Sequence, residues 1–224
     1  MDREKNMISV CVPSRGRPEK CADMVQSLLD NAHWDVDINI YLNQNDQMLD
    51  VYKNLIDNKY LHVGDQYFAN HGWNLMAEKA TCSLLFMNGD AEIMQTKDWD
   101  KISFDTACNA FPKRIGVLVP DDGRGKGGAP HFMVTRQWYE LLGYMSHPMF
   151  LHWHVDTYAV ELAESAGVLK RINIINKAKK IIGDSTAKLS RDNKITHRDE
   201  YMMQWARKHL IPMEREKIER EINR

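Results

Sequence analysis

Ser83-Leu84-Leu85-Phe86-Met87-Asn88-Gly89-Asp90-Ala91-Glu92 is the stretch on which the fold turns. Its first half is a short apolar run, as expected of a strand buried on both faces, and it stops abruptly on acid. A strand that ends this way delivers a carboxylate to the rim of a sheet, where open α/β sheets bind ligands. Hard divalent cations such as Mg²⁺ and Mn²⁺ take oxygen donors held in that manner. There is a plainer alternative, because Asn88-Gly89 is also a common hairpin turn. The segments on either side separate the two.

Upstream, residues 7–12 (Met7-Ile8-Ser9-Val10-Cys11-Val12) form another apolar run, stopping at Pro13-Ser14-Arg15-Gly16-Arg17. Pro18 suits the first turn of a helix. Cys21, Met24, Val25, Leu28 and Leu29 then fall on one helical face. Ile38, Ile40 and Leu42 alternate as in a strand and lead into the polar group Asn43-Gln44-Asn45-Asp46. A helix over 46–57, a short strand over 60–63 and a helix over 68–79 complete the approach to residue 83. Strand and helix alternating through short links predict a parallel sheet with crossover helices.

Downstream, 115–119 reads as a strand entering the glycine-rich loop 121–128. That loop is not a phosphate-binding Walker loop, since no Gly-Lys-Ser/Thr opens a helix there. Strand 131–135 and helix 136–142 follow. Next comes the irregular aromatic segment His147-Pro148-Met149-Phe150-Leu151-His152-Trp153-His154. Val155, Tyr158, Ala159, Leu162 and Ala166 form a helical stripe. A last strand is expected over 169–175, then two helices, 199–209 and 212–224, separated at Pro212.

At 224 residues, 43 % hydrophobic and net charge −1, the chain suits one α/β domain with a tail and is not composed like a disordered protein. No apolar stretch reaches the roughly 18 to 20 residues needed to span a bilayer. The polar opening Met1-Asp2-Arg3-Glu4-Lys5-Asn6 lacks a signal-peptide core, so the expected location is cytoplasmic. Cys11, Cys21, Cys82 and Cys108 form no Cys-x-x-Cys pair and read as reduced core residues. Residues 167–224 carry 15 Lys/Arg against 8 Asp/Glu, a balance of +7 on a body of −8. Such a tail suits a polyanionic partner or simply a solvated helical surface.

A parallel sheet brings three loops to one edge: Pro13-Ser14-Arg15, Asn43–Asp46 and Asn88-Gly89-Asp90. In that order and spacing the chain resembles the glycosyltransferases of the GT-A fold, nearest to the family-2 type. The run Ile8–Pro18 is similar to that family's first strand and nucleotide loop, usually Pro-Thr-x-x-Arg. Asn88-Gly89-Asp90 is similar to its metal-binding Asp-x-Asp, with Asn in place of the first Asp. Residues 128–167 resemble its acceptor half, although His154 stands where an acidic residue is usual before the base. The resemblance covers about residues 7–168. It implies a mixed, mainly parallel α/β sheet flanked by helices, with a nucleotide-sugar half over about 1–92 and an acceptor half over about 110–168. Residues 169–224 would be a basic helical extension.

The resemblance also implies chemistry. Asp90 would bind Mn²⁺ or Mg²⁺ as a Lewis acid for the departing diphosphate of a UDP-sugar or similar donor, assisted by Asn88 or Glu92. A late histidine, His154, His131 or His197, would complete the metal shell. Arg15 or Arg17 would pair with phosphate. Pro13, Ser14, Asn43, Asp46 and Gly89 would line the nucleotide. Asp156, in the first turn of a helix, would be the base that takes the acceptor's proton, with inversion at the anomeric carbon. Trp153, His131, Arg124 and Lys126 would face the acceptor, and Trp153 or Trp73 would stack on sugar or base.

Small proteins of this appearance resemble those encoded by bacteriophages, some of which glycosylate hydroxymethylated pyrimidines in DNA. Duplex DNA is therefore one acceptor expected here, in the host cytoplasm. A soluble glycan, protein or small molecule is the other. A non-catalytic relative that binds a nucleotide or nucleic acid is the second functional class. A nucleotidyltransferase is disfavoured, because those enzymes carry a glycine-rich loop after the first strand.

Overall fold

A computed structural model describes residues 7–65, 68–123, 130–178 and 194–224. The first half alternates as expected: β1 (Ile8–Ser14), α1 (Pro18–Asp30), β2 (Asp37–Asn43), α2 (Leu49–Leu55), β3 (Leu61–Gly64), α3 (Ala69–Lys79) and β4 (Leu84–Met87). After it come β5 (Glu92–Met94), α4 (Trp99–Ala110), β6 (Val117–Asp121), β7 (Phe132–Thr135), α5 (Arg136–Leu142), α6 (Val155–Ser165), β8 (Leu169–Ala178) and α7 (Ile195–Ile222).

The eight strands lie in the order β3-β2-β1-β4-β7-β6-β8-β5. β3, β2, β1 and β4 are mutually parallel. β7 runs antiparallel to β4 and β6, β8 runs parallel to β6, and β5 runs antiparallel to β8. Every residue of β1 and β4 is buried, which is why these central strands are continuous apolar runs rather than alternating ones. The α1 face is the one its spacing predicts, with Cys21, Met24, Val25 and Leu28 buried. Cys11, Cys21 and Cys82 are free and buried, and Cys108 is free and partly exposed.

Three differences from the sequence expectation have physical causes. The first is α4, which had no hydrophobic stripe to reveal it. Its buried face is Trp99, Asp100, Ser103 and Ala107. Asp100 earns its burial by accepting hydrogen bonds from the backbone N–H groups of His33 (2.7 Å) and Trp34 (2.8 Å).

The second is the C-terminal region, where two helices were expected and one 28-residue helix is found, running through Pro212. Pro212 is exposed, so the carbonyl its ring leaves unbonded faces water. The buried stripe Met203, Ala206, Leu210, Glu214 and Ile218 passes beneath it unbroken. The third is the boundary expected at residue 168. β8 sits inside the sheet, between β6 and β5, so the sheet continues past that point. β5 is only three residues long, too short for any periodicity. No helix among the described residues is long and apolar enough to cross a membrane.

Candidate active site

Strand order fixes where the site lies. The chain leaves β1 toward β2 on one side, while β4 is β1's neighbour on the other. The sheet's topological switch point is therefore between β1 and β4, and ligands bind in the crevice outside the carboxyl ends of such strands. Ser14 ends β1 and Asn88-Gly89-Asp90 follows β4.

Asp90 bridges the switch point. It is 3 % exposed. Its Oδ2 accepts hydrogen bonds from Ser14 Oγ (2.6 Å) and Arg17 Nε (3.0 Å). Burial pushes its pKa up, against the pull of the Arg17 charge and the Ser14 hydroxyl, and the neighbouring Glu92 carboxylate raises it further. Gly16 has φ +66°, a left-handed turn that glycine takes without strain and that sets Arg17 at the start of α1, over the carboxylate. Tyr52, from α2, lies under this turn. Its hydroxyl is 2.6 Å from Ser14 Oγ and accepts from the Arg17 backbone N–H (2.9 Å). Burial raises the Tyr52 pKa beyond the range in which it would ionise, so it acts as a neutral strut.

The second loop is tied to the first. Asp46 Oδ2 accepts from Gly16 N (2.8 Å) and its Oδ1 from Met48 N (2.9 Å). Each oxygen thus accepts one backbone bond, so Asp46 shapes the loop. Asn43 is buried and its Oδ1 accepts from Asn45 N (3.2 Å). Pro13 is buried and Arg15 is exposed at the crevice.

Asn88 is fully buried and its side chain turns away from the crevice. Its Oδ1 accepts from Asn176 Nδ2 (2.8 Å), while Asn88 Nδ2 and Asn176 Oδ1 have no hydrogen-bond partner among the described residues. The Asn88 carbonyl accepts from the Trp73 indole N–H (2.9 Å). Trp73 is therefore a buried brace for this loop and not a stacking platform. The Glu92 carboxylate folds over Gly89, where an added Cβ would lie 2.1 Å from Glu92 Oε2. Glu92 Oε1 is also 3.5 Å from Nε2 of buried His131.

The aromatic segment 147–154 reaches the same edge through α3. Asn70 N–H donates to the Leu151 carbonyl (3.4 Å), and Asn70 Nδ2 donates to the carbonyls of His147 (2.9 Å) and Phe150 (2.6 Å). One turn along α3, Trp73 holds Asn88. From the other side comes α7. Asp199, fully buried, accepts from the backbone N–H groups of Leu151 (3.2 Å), His152 (3.0 Å) and Trp153 (2.9 Å), and pairs with Arg198 (2.7 Å). Trp153 is 39 % exposed. His154 has φ +63° and starts α6. Asp156, in the first turn, is half-buried, and Thr157 Oγ1 lies 3.5 Å from its Oδ1.

The expected ligand set Asp90, His154 and His197 is not gathered. No group of three His, Cys, Asp or Glu side chains placed to hold a metal occurs among the described residues. His154 Nε2 is engaged by Glu200 (2.9 Å), and His197 is exposed on the first turn of α7. What is present is oxygen chemistry, Asp90 with Glu92 close by. One or two carboxylates suffice for Mg²⁺ or Mn²⁺ when substrate phosphates fill the other positions, so these residues fit a cation shared with a diphosphate and not one caged by protein. Arg124 and Lys126 lie outside the described residues.

Solved structures share this architecture. The S. aureus TarS 1–349 complex with UDP-GlcNAc superimposes with a TM-score of 0.58 at 12 % identity, covering 80 % of this chain and 60 % of that one. A mannosyltransferase, PcManGT from Pyrobaculum calidifontis, in complex with GDP-Man and Mn²⁺ gives 0.58 at 8 % identity, covering 84 % and 60 %. The fold is GT-A. A GT-A fold is what the chain's resemblance implied. This chain spans about 60 % of the length of the solved structures it matches. No family model and no curated protein matches the sequence.

Sequence reasoning missed Tyr52, Asn176 and Asp199 as site residues. Two had a visible signal. Asn176 continues the inward-facing alternation Ile172, Ile174 of β8, so it is a polar residue at a core position. Asp199 occupies the apolar stripe of α7, one turn after Ile195 and one before Met203. Buried polar side chains without an obvious partner in sequence mark places where tertiary structure supplies one.

Proposed function

We propose that this chain transfers a glycosyl unit from a nucleotide-diphosphate sugar to an acceptor hydroxyl. The observation that carries the proposal is Asp90, buried at the switch point of a GT-A sheet between Ser14 and Arg17. A buried carboxylate is costly, and the crevice it faces is where this architecture binds ligands. The solved relatives bound to UDP-GlcNAc or to GDP-Man with Mn²⁺ support a donor of that class.

In this reading Asp90, with Glu92 beside it, holds a divalent cation together with the donor diphosphate. When bound, the ion neutralises charge on the departing diphosphate. Arg17 and exposed Arg15 take phosphate oxygens. Pro13, Ser14, Asn43 and Gly89 line the nucleotide. Asp156 accepts the proton of the attacking hydroxyl, and a single in-line displacement inverts the anomeric carbon. The segment 151–153, fixed by Asp199, presents Trp153 to the acceptor; His131, Arg124 and Lys126 are the other residues assigned to acceptor binding in this reading.

Duplex DNA is one proposed acceptor, supported by the +7 balance of residues 167–224 and by exposed Trp153. A soluble glycan or protein is the other. Binding to duplex DNA that weakens steeply with salt supports the first, and no binding at low salt excludes it.

The decisive experiment is a thermal-shift screen of UDP- and GDP-sugars with and without Mn²⁺, followed by product analysis. A donor that binds the native state raises apparent stability. A second reading, a nucleotide-binding relative without transfer activity, draws on Asn88, whose side chain is engaged by Asn176. Stabilisation by a nucleotide-sugar with neither hydrolysis nor transfer would favour it.

A further inference from the structure

We propose that Arg17 and a divalent cation are alternative partners of Asp90, so that cation and donor diphosphate bind as a coupled pair. The proposal deepens the transferase reading above and rests on it.

A carboxylate that is 3 % exposed needs a counter-charge. Arg17 Nε supplies it, 3.0 Å from Oδ2, on a side chain that is itself 20 % exposed. The pair is neutral. A divalent cation arriving alone would add two positive charges to the crevice and meet the guanidinium already on Asp90. A nucleotide-diphosphate sugar arriving alone would add about two negative charges beside a buried carboxylate. Both are unfavourable where the local dielectric is low. Arriving together they change the net charge by nothing. Arg17 then exchanges Asp90 for phosphate, for which its planar fork is suited, and Asp90 keeps Ser14.

The geometry allows the exchange. Arg17 is the residue before Pro18, at the very start of α1, and follows Gly16, around whose Cα there is open space. Its backbone is held by Tyr52 and by the bond from Cys21 N to its carbonyl (3.0 Å), so only the side chain has to move. Asp46, by gripping Gly16 N, keeps the turn in place during the exchange.

The test measures Mn²⁺ binding on the full chain by the electron paramagnetic resonance signal of free Mn²⁺, alone and with UDP-GlcNAc or GDP-mannose. In the wild type, the nucleotide-sugar should tighten Mn²⁺ about tenfold or more, and Mn²⁺ should tighten the nucleotide-sugar by the same factor. Arg17→Gln removes the competing cation. It should bind Mn²⁺ alone about tenfold more tightly than the wild type and lose most of the coupling. Arg17→Lys keeps the charge and should retain weak binding of Mn²⁺ alone, which separates charge from any disturbance of the fold. Unchanged or weaker Mn²⁺ binding by Arg17→Gln overturns the proposal. If the wild type binds nucleotide-sugar and Mn²⁺ independently, this inference falls while the transferase reading stands. If it binds no nucleotide-sugar under either condition, both fall.

Discussion

Replacing Asp199 by Ala should loosen residues 151–153 without touching the crevice between β1 and β4. Asp199 is fully buried and receives three backbone N–H groups from Leu151, His152 and Trp153 at 2.9–3.2 Å. Each bond to a charged acceptor is worth about 1.5–3 kcal/mol net. The three are not additive, and the half-exposed segment can recruit water once the carboxylate is gone. Arg198, 44 % exposed at its side chain, loses little. A cost of about 3–5 kcal/mol results, in the range for breaking a buried charged contact. For a chain of this size that lowers Tm by about 10 °C. Asp199→Asn keeps an acceptor oxygen and the shape, and should cost about half as much. Urea denaturation gives the stabilities, and hydrogen exchange gives the local effect: the amides of residues 151–153 should exchange much faster, while those of β1 and β4 keep their order of protection. Wild-type exchange at those three amides, or a loss below about 1 kcal/mol for the Ala variant, refutes the account.

Three further outcomes are expected. Burial lifts the Asp90 pKa above its ordinary 3.8. A group whose pKa is raised on folding favours the folded state below its unfolded value and loses that contribution as pH rises through the folded one. Asp90→Asn should therefore be as stable as the wild type or more so at neutral pH, with the difference shrinking as pH falls toward 4, while Mn²⁺ binding is lost; a pH-independent difference in urea midpoints contradicts this. His147, packed against Tyr144, Phe150 and Tyr158, has its pKa pushed down by burial from 6.5 to about 4. Its contribution is present above pH 6.5 and lost as pH falls toward 4, so His147→Phe should flatten the pH–stability curve in that window. Tyr144 and Tyr158 both donate hydroxyl hydrogen bonds to Glu214 Oε2 from beneath α7. Glu214→Ala removes the shared acceptor of two buried hydroxyls and should cost about 2–4 kcal/mol; equal Tm values would show that α7 is not held there.

Much of the first half is legible without coordinates. β1 and β4 announce themselves as continuous apolar runs, β2 by its alternation, and α1 by its single apolar face. The three polar loops follow from that alternation, since each must end at the same edge. α4 is hidden because Asp100 and Ser103 stand on its buried face, and the continuity of α7 is hidden because Pro212, a usual helix stop, faces outward.

The same division holds at the site. Sequence alone determines which residue types stand at the strand ends: Ser14, Arg17, Asn88 and Asp90 near the switch point, and Asp156 at a helix start. It cannot determine which of them face one another. That Arg17 spends its charge on Asp90, that Asp46 holds a loop, that Asn88 turns to Asn176, and that Asp199 crosses from the last helix to fix residues 151–153 are decided by contacts between segments 30 to 88 positions apart. Periodicity reports only on the few residues within a turn or a pleat, whereas a hydrogen bond between distant loops exists only once the sheet has brought them to a common edge.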